Sequence, residues 1–503
     1  MLPAKTVLAL AVLTPLAFYT VRLITNLLAS DRDIPGPFWA RITKLWYLRQ
    51  MIKGDFHETN IELHRKKGSI IRVAPNHYSL NDPECLKTVY GLGSKYIKST
   101  WYDGWNMRDD TTLTSLFTER DPKRHAANRR KVANMYTMTA MTAYEPFVDS
   151  CIDLLRKQLD RASSSLSVFD LGHWSQCYAF DVIGEITFGE RFGFLDQMLD
   201  VNNIIATLDT GLGASSYIGL YIWLRPYFIK ALRIAGSLTN DALLVFVTRH
   251  INTGNAEKML SGSDTIESHS PMLQKFLQAR AANPDHFREW DVMTNVLSNI
   301  GAGSDTTGLS LSAVFYYVYT NPGVLQKLRE ELEAADLSDP PTFKEAQRLP
   351  YFQAVIKEAL RMHPGTGFPI FREVPEGGAV ISGHYFPHKA NVGVNCWVIH
   401  RDKEVYGADA DVFRPERWLE ASEDRRKLME RSYIAFGLGS RTCIGKNISL
   451  LEMNKLLPVV IRNYDVEILD KDRSLQSCNR WFVKPVNFMV RVHKRASVSA
   501  KDK

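Results

Sequence analysis

The sequence predicts one large domain that is mainly α-helical and carries small β-sheets, an α+β fold. Apolar residues recur at helical spacing, most clearly in a long run from Glu289 to Tyr319 that ends at Asn321-Pro322-Gly323. Short strands and turns rich in glycine and proline fill residues 365–400. Neither an internal repeat nor a linker is found after residue 40, so a single domain is the simplest account of the 503 residues.

Further elements follow from the same patterns. The segment Ser69–Ala74, closed by Pro75-Asn76, predicts a strand. A last strong helix is predicted to start at Cys443, because Ile444, Ile448 and Leu451 follow at helical spacing. Four other helices are predicted at Tyr144–Leu159, Ser175–Phe188, Val324–Ala335 and Leu349–Met362.

The N-terminus carries the clearest targeting signal. Val7–Val21 is apolar and uncharged, and Leu23–Leu28 continues the trend beyond Arg22, whose long side chain can reach a membrane interface. We therefore expect residues 1–30 to form a single-pass membrane anchor, followed by a proline-rich hinge at 31–40 and the folded domain at 41–503. A cleaved secretory signal is the alternative, although no small-residue cleavage site follows the apolar run.

The composition leaves ample material for a core and argues against nucleic-acid binding. Hydrophobic residues make up 45% of the chain and aromatic residues 11%. The net charge of +7 fits an ordinary solvated surface, anionic lipid headgroups or an acidic protein partner, but it is not clustered with aromatic residues. The six cysteines are scattered, which argues against a zinc knuckle or a disulfide framework and favours a reducing compartment.

Cys443 differs from the other cysteines in its surroundings. It lies in Phe436-Gly437-Leu438-Gly439-Ser440-Arg441-Thr442-Cys443-Ile444-Gly445, where glycines allow a tight backbone and leave room for a flat ring system. A helix starting at the cysteine would bring amide N–H groups to the sulfur and favour the thiolate. A thiolate in such a loop is a candidate axial ligand for haem iron.

This ten-residue segment resembles the haem-binding loop of cytochrome P450 enzymes, which has a phenylalanine, glycines, an arginine and the cysteine at the same positions. The resemblance implies the cytochrome P450 fold and a haem-thiolate monooxygenase that inserts one atom of O₂ into a lipophilic small molecule. It implies haem b as cofactor, with Cys443 as the axial ligand to the iron. The loop residues expected to contact the cofactor are Phe436, Gly437, Arg441 and Gly445.

The long helix contains Ala302-Gly303-Ser304-Asp305-Thr306-Thr307, similar to the oxygen-activation motif of the same family. Glycines, Asp305 and two threonines are unfavourable inside a helix, which suggests a functional reason for their presence. The resemblance implies that Ala302 and Gly303 leave space over the cofactor. It assigns Thr306 to hydrogen-bonding the bound oxygen and Asp305 to relaying protons.

A second family feature is an E-x-x-R pair at Glu358 and Arg361, followed downstream by Phe413-Arg414-Pro415-Glu416-Arg417-Trp418. The spacing alone is uninformative, because it also occurs elsewhere in the chain. The downstream segment resembles the family's P-E-R-F motif, with tryptophan in place of the last phenylalanine. The resemblance implies a buried charged network of Glu358, Arg361 and Arg417 with a structural role.

Haem propionates need cationic partners, and the family places a Trp or His four residues before an Arg on an early helix. His125 and Arg129 match that spacing, and Arg441 and Arg372 are further candidates. Neighbouring basic residues are candidates for docking an acidic electron donor. They are Arg130, Lys131 and Lys446.

The substrate-contacting segments of the family are variable, but their positions predict a large apolar pocket. The expected lining residues are Trp101, Phe117, Ile300, Phe368, Ile370 and Trp481. Lys98-Ser99-Thr100-Trp101-Tyr102 and Arg372-Glu373-Val374-Pro375-Glu376-Gly377-Gly378 resemble fungal microsomal enzymes of the pisatin-demethylase type. This finer resemblance implies a step in fungal secondary-metabolite biosynthesis.

The resemblance also implies partners and a location. Because the chain contains no flavin or nicotinamide domain, electrons from NADPH would arrive through an NADPH–cytochrome P450 reductase. We expect the anchor to lie in the endoplasmic-reticulum membrane, with the catalytic domain facing the cytosol. An O₂-independent haem-thiolate isomerase or dehydratase and a non-catalytic haem-binding protein are the alternatives, and Asp305 and Thr306 argue against both.

Overall fold

The computed structural model describes residues 31–106, 113–234, 247–248, 269–470 and 474–496, with a few positions between 13 and 25. The helices are, in chain order, α1 (Phe38–Ile42), α2 (Leu45–Lys53), α3 (Phe56–Lys67), α4 (Pro83–Tyr90), α5 (Pro122–Val132), α6 (Met138–Thr142), α7 (Glu145–Ser165), α8 (Leu171–Phe188), α9 (Phe194–Gln197), α10 (Ile204–Leu220), α11 (Arg225–Ile234), α12 (Met272–Ala282), α13 (Glu289–Tyr319), α14 (Pro322–Ala334), α15 (Phe343–Ala346), α16 (Pro350–Met362), α17 (Cys396–Ile399), α18 (Lys403–Tyr406), α19 (Arg417–Glu420), α20 (Glu423–Ser432) and α21 (Lys446–Asn463).

The strands are short. They are β1 (Ile70–Ala74), β2 (His77–Leu80), β3 (Ile97–Lys98), β4 (Val168–Asp170), β5 (Arg372–Glu373), β6 (Ala379–Ile381), β7 (His384–Phe386), β8 (Asn391–Val394), β9 (Tyr464–Ile468), β10 (Ser477–Asn479), β11 (Val483–Pro485) and β12 (Met489–Lys494). The prediction of a mainly helical chain with small sheets is therefore confirmed. The long helix has the predicted bounds, whereas the last helix begins at Lys446, three residues later than predicted.

Four small sheets join distant parts of the chain. One sheet has the order β1-β2-β8-β5-β3, with β2 and β8 parallel and the other neighbours antiparallel. A second sheet has the order β4-β12-β9, and β6-β7 and β10-β11 form two-stranded sheets. The first sheet brings Lys98 on β3 beside Arg372 on β5, residues that are far apart in sequence.

The core is built around α13, which packs along α8. Helix α8 is capped at its start by Asp170, whose carboxylate accepts the N–H groups of Gly172 and His173, and it ends at Gly189, where φ is +78°. A side chain at Gly308 would lie 2.8 Å from the Cα atom of Gln176 on α8. The glycine therefore allows the close approach of the two helices.

The segment predicted as a hinge, residues 31–40, packs on the first sheet. Ile34 is fully buried, and the guanidinium of Arg72 on β1 lies 3.0 Å from the carboxylate of Asp31. Tyr78 also donates a hydrogen bond to Asp31. These contacts connect residue 31 to the first sheet.

The prediction of a single-pass N-terminal anchor is wrong. The predicted endoplasmic-reticulum location, which depended on that anchor, is wrong with it. Most of residues 1–30 lie outside the described residues. Within the described part of the chain, none of the helices is both long enough and apolar enough to cross a bilayer. The uncharged run Val7–Val21 is itself shorter than the roughly 20 residues that a spanning helix needs, so the expectation depended on continuing the span past Arg22.

Candidate active site

The loop before α21 presents the sulfur of Cys443. The backbone N–H of Cys443 donates a hydrogen bond to the carbonyl of Phe436, which closes the loop (2.8 Å). Cys443 is exposed, whereas Cys85, Cys151, Cys177 and Cys396 are buried and Cys478 is half-buried. The loop therefore holds one accessible thiol.

Gly439 is required by the geometry of this loop. Its φ is +64°, in the left-handed region, and a Cβ at this position would overlap the carbonyl oxygen of Tyr90 at the end of α4. Gly437 also has positive φ, +72°. The loop can thus pass close to α4 only with glycine at position 439.

Electrostatic effects on the Cys443 thiol oppose one another. Although the sulfur can be reached from solvent, the protein atoms packed around it raise the pKa of the thiol by desolvation. The backbone N–H groups of Gly445 and Lys446 and the charge of Arg129 lower that pKa. The start of α21 therefore supplies the amides predicted to favour a thiolate, even though the helix begins after the cysteine rather than at it.

An open face of α13 lies close to the start of α21. Most residues of this helix are buried, but Ala302 is exposed and Thr306 is half-buried. The hydroxyl of Thr306 donates to the carbonyl of Ala302 (2.6 Å), as Ser/Thr hydroxyls often do inside helices. The adjacent Thr307 forms a buried hydroxyl–hydroxyl hydrogen bond of 2.8 Å with Ser449 of α21, which ties the two helices together.

Two other residues of the oxygen-activation motif contact elements outside α13 and away from Thr306. A Cβ at Gly303 would lie 3.2 Å from Ile183, so this glycine serves the packing of α13 on α8. The carboxylate of Asp305 is fully buried and lies 2.9 Å from the ammonium of Lys484 on β11. Gln176 on α8 donates a hydrogen bond to the other carboxylate oxygen. Asp305 and Thr306, adjacent in sequence, thus have different partners.

A cluster of cationic side chains lies beside the cysteine loop. Lys98 and Arg372 are directly opposite on antiparallel β3 and β5, and both are buried. Desolvation by burial, followed by the charges of Arg372 and Arg441, lowers the pKa of Lys98 well below its usual value. Desolvation, together with Arg441, Lys98, Arg129 and Arg372, lowers the pKa of the buried His125 to about 3. The structure therefore brings together the four predicted propionate partners, His125, Arg129, Arg372 and Arg441.

This cluster fits an anionic cofactor. Like charges directly opposite in a sheet are destabilising, and buried cations need anionic partners. Glu119 contributes one carboxylate, which raises the pKa of Lys98, but it also accepts hydrogen bonds from Thr114 and from the N–H of Asp121. Two propionates would supply the further negative charge, and the exposed thiol of Cys443 would face the iron. The donor set thus fits haem.

The sequence motifs do not identify Lys98 as a member of this cluster. The signal that identifies it is the register of β3 against β5, which the sequence does not contain.

Glu358, Arg361 and Arg417 form a buried network at the other end of the cysteine loop. Arg361 donates two hydrogen bonds to Glu358, of 2.8 and 2.7 Å, and Arg417 donates a third of 2.8 Å. Arg361 also donates to the carbonyls of His400 and Ala410. The charges keep the pKa of Glu358 below its usual value despite burial, which acts in the opposite direction. The network fastens α16 to the segment that leads to α20.

Trp418, the residue that departs from the family's P-E-R-F segment, belongs to the same network. Its indole N–H donates a 2.9 Å hydrogen bond to Glu358, which a phenylalanine could not do. The departure thus adds one donor to the buried carboxylate.

Four of the six predicted pocket residues lie together. Trp481 lies within 5.0 Å of Trp101, 5.8 Å of Phe117 and 6.3 Å of Phe368, measured between ring centroids. We call these four residues the aromatic cluster. Ile300 packs in the main helical core, and Ile370 packs against the core of the first sheet, so the structure does not bring them to the cluster.

The three predicted docking residues differ in accessibility. Arg130 and Lys446 are exposed. Lys131 forms a 3.0 Å ion pair with Asp291 at the start of α13, and both side chains are largely buried. Lys131 thus fastens α5 to the central helix.

Comparison with known proteins agrees with this geometry. The family model described as Cytochrome P450 matches residues 34–492. The chain belongs to the cytochrome P450 family. A pisatin demethylase of Fusarium vanettenii is 39% identical over 462 residues, covering 91% of this chain and 88% of the relative. Cytochrome P450 monooxygenases of Aspergillus terreus and Emericella nidulans are each 35% identical, covering 90% and 96% of this chain and 94% and 96% of those relatives.

The predicted resemblance, including its fungal, pisatin-demethylase-like character, is thus confirmed. This P450 is a monooxygenase of the general haem- and O₂-dependent kind, with a small-molecule substrate and a redox partner.

Proposed function

We propose that this P450 oxidises a lipophilic small molecule in fungal secondary metabolism by inserting one oxygen atom from O₂, with haem b bound through Cys443. The observation that carries the proposal is the accessible Cys443 thiol beside the cationic cluster. Relatives of 35% identity that are named as monooxygenases support the reaction class.

Haem, when bound, supplies the redox chemistry that cleaves O₂, and a thiolate ligand favours that cleavage. Cys443 would hold the iron, and the backbone N–H groups of Gly445 and Lys446 together with the charge of Arg129 would favour its thiolate. Phe436, Gly437 and Gly445 would contact the ring on the side of Cys443. Arg441, Arg372, Lys98, His125 and Arg129 would hold the propionates; His125 would do so as a neutral donor, given its low pKa.

The open face of α13 would line the site where O₂ reacts. Ala302 has no side chain beyond Cβ, which leaves space there, and the hydroxyl of Thr306 can turn from the Ala302 carbonyl to hold a proton or a water molecule. Asp305 would supply protons to that hydroxyl. The aromatic cluster would bind the substrate through apolar contacts.

Electrons would come from NADPH through a cytochrome P450 reductase. Arg130 and Lys446 are exposed near the cysteine loop and would attract an acidic patch on that partner. Lys131 is less suited to this role, because Asp291 already neutralises it.

The first test is the absorption spectrum of the reduced protein under carbon monoxide. Wild type should show the absorption band typical of a thiolate-ligated haem, and Cys443→Ser should lose it. Cys478→Ser, at a half-buried cysteine remote from the loop in sequence, is the matched control and should keep the band. Retention of the band by Cys443→Ser would contradict the proposal.

The second test separates a monooxygenase from a haem-thiolate isomerase. Thr306→Ala should release more hydrogen peroxide for each NADPH consumed, because the hydroxyl that holds a proton is lost. Ser310, one turn further along α13, gives the control Ser310→Ala. Equal peroxide release from the two variants would favour a reaction that does not use O₂.

A further inference from the structure

The carboxylate of Asp305 is held away from Thr306 by residues outside the central helix. Lys484 Nζ lies 2.9 Å from Oδ2, and Gln176 binds Oδ1. Neither Oδ2 nor Nζ has a well-aligned hydrogen-bond partner among the described protein atoms, so the contact is an ion pair with hydrogen-bonding capacity left on both sides.

Lys484 is shared between two carboxylates. Its ammonium lies 3.5 Å from Asp209 on α10, and Asp209 is also 2.8 Å from the guanidinium of Arg480. Opposite charges thus alternate from Arg480 through Asp209 and Lys484 to Asp305. Three structural units, α10, the β10–β11 hairpin and α13, meet at this chain of charges.

The same hairpin enters the aromatic cluster. Trp481 occupies the turn between Arg480 and Lys484, and its φ is +115°, a conformation that is strained for any residue other than glycine. Its indole packs against Trp101, which donates a hydrogen bond to the carbonyl of Ser216 on α10. A ligand that displaced Trp481 would therefore pull on the backbone only three residues from Lys484.

A cavity of about 290 Å³, lined by both polar and apolar groups, lies on the Asp305 side of α13. Its charged and titratable lining groups are Asp305, Lys484, His173 and Asp170. Asp170 is engaged by the N–H groups that it caps on α8, and His173 contacts the carbonyl of Met198. Uncharged lining residues include Gln176, Ser312 and Asn487. A cavity of this size and polarity can hold several water molecules.

We propose that Lys484 is a positioning residue for Asp305, and that the β10–β11 hairpin couples the filling of the aromatic cluster to this ion pair. With Lys484 in place, Asp305 faces the cavity; when the hairpin shifts, the carboxyl turns toward Thr306. Asp305 then gives one proton to the Thr306 side and regains one from the cavity, so that protons balance and no electrons move through it. The inference rests on the proposed function, because proton delivery matters only where O₂ is reduced.

The charge balance around Asp305 supports this assignment. Burial raises the pKa of Asp305, Lys484 opposes that rise most strongly, Asp209 adds to it, and Gln176 opposes it. Without Lys484, no positive charge would oppose the rise in the pKa of Asp305 that burial and Asp209 cause. The carboxyl would then stay protonated over a wider pH range.

The direct test is the pKa of Asp305, measured on the haem-loaded protein by the infrared carboxyl stretch that Asp305→Asn abolishes. Lys484→Met should raise that pKa by at least one unit, and Lys484→Arg should restore it toward wild type. Lys494→Met is the control, because Lys494 pairs with Asp160 at 2.8 Å at the exposed end of β12. An unchanged pKa in Lys484→Met would overturn the proposal.

The coupling is tested through Trp481, whose indole packs in the aromatic cluster. Trp481→Ala should shift the Asp305 pKa if the hairpin transmits the change, and Trp481→Phe carries the same test if the first variant does not fold. An Asp305 pKa equal to wild type in the folded variant would overturn the coupling. The infrared readout needs neither substrate nor turnover. A missing carbon monoxide band with an intact pKa response would therefore reject the proposed function and leave the ion-pair assignment standing.

Discussion

Lys98 and Arg372 face each other directly across strands β3 and β5. Two buried cations at paired positions repel each other, which destabilises the apoprotein, and an anionic cofactor bound there would relieve that repulsion. Cofactor binding and apoprotein stability should therefore respond differently to a change at this pair.

Replacing Lys98 by methionine should separate cofactor affinity from protein stability. We expect haem binding to weaken about tenfold, the value of one charge-assisted hydrogen bond, whereas the melting temperature of the apoprotein should stay the same or rise. Haem titration and thermal unfolding of the apoprotein measure the two effects. Lys95→Met, three residues earlier, is the control. A fall in apoprotein stability without loss of haem affinity would contradict this account.

Glu358→Gln should be severely destabilising. The substitution removes the carboxylate that Arg361 and Arg417 share and leaves Arg417 with Asp409 alone, and breaking a buried pair of this kind costs about 3–5 kcal/mol. Glu423→Gln is the matched control, because Glu423 has the same spacing to Arg426 but lies on the surface, where its ion pair with Lys427 is worth about 0.5 kcal/mol or less. Denaturant unfolding of both variants measures the difference, and similar losses would refute a buried network.

Gly439→Ala should disrupt the cysteine loop. An alanine at positive φ destabilises the fold by about 1–2 kcal/mol, and here its Cβ would also overlap the carbonyl of Tyr90. Gly93→Ala isolates the first cost, since φ is +77° there and nothing lies within 4 Å of the added Cβ. We expect Gly439→Ala to lose the carbon monoxide band and Gly93→Ala to keep it. If both variants kept or both lost the band, the close approach of the cysteine loop to α4 would not be the reason that glycine is needed at position 439.

Acid should destabilise the protein through His400. Its Nε2 accepts the N–H of Ile434 (2.9 Å) just before the cysteine loop, its Nδ1 contacts the Arg361 carbonyl, and burial followed by the charge of Arg361 lowers its pKa to about 3. Because the folded pKa lies below the unfolded value of about 6.5, the unfolded state binds the proton first, and stability is lost as pH falls from 6.5 toward 3.

Thermal unfolding between pH 7 and pH 5 measures this effect. His400→Gln should be less stable at pH 7 but less sensitive to acid than wild type. His384→Gln, at an exposed position, should show the wild-type pH dependence. An acid sensitivity of His400→Gln equal to that of wild type would exclude His400 as a source.

The sequence predicted those parts of the fold and site that depend on local pattern. The bounds of α13 follow from its apolar spacing and from the Asn-Pro-Gly stop, and the cysteine loop follows from its glycines. What it missed depends on contacts between distant segments. The position of Lys98 beside Arg372 requires the β3–β5 register, and the separation of Ile300 and Ile370 from the aromatic cluster requires the packing of whole helices and sheets.

The same distinction applies to the oxygen-activation motif. Asp305 and Thr306 are neighbours in the chain, but a helix turns about 100° per residue, so their side chains leave in different directions. The partner of Asp305, Lys484, comes from a hairpin near the C-terminus. Motif spacing identifies such residues without giving their partners.

The hydroxyl pair between Thr307 and Ser449 joins the helix on one side of the site to the helix that follows the cysteine. A hydroxyl carries no charge, unlike the ionic groups at the edge of the site. This link between the two helices therefore does not depend on the protonation state of its own groups, whereas propionates and an acidic redox partner would be held by charges that respond to pH and salt. Variants of the charged groups should thus change cofactor affinity and electron supply without breaking the link between the two helices.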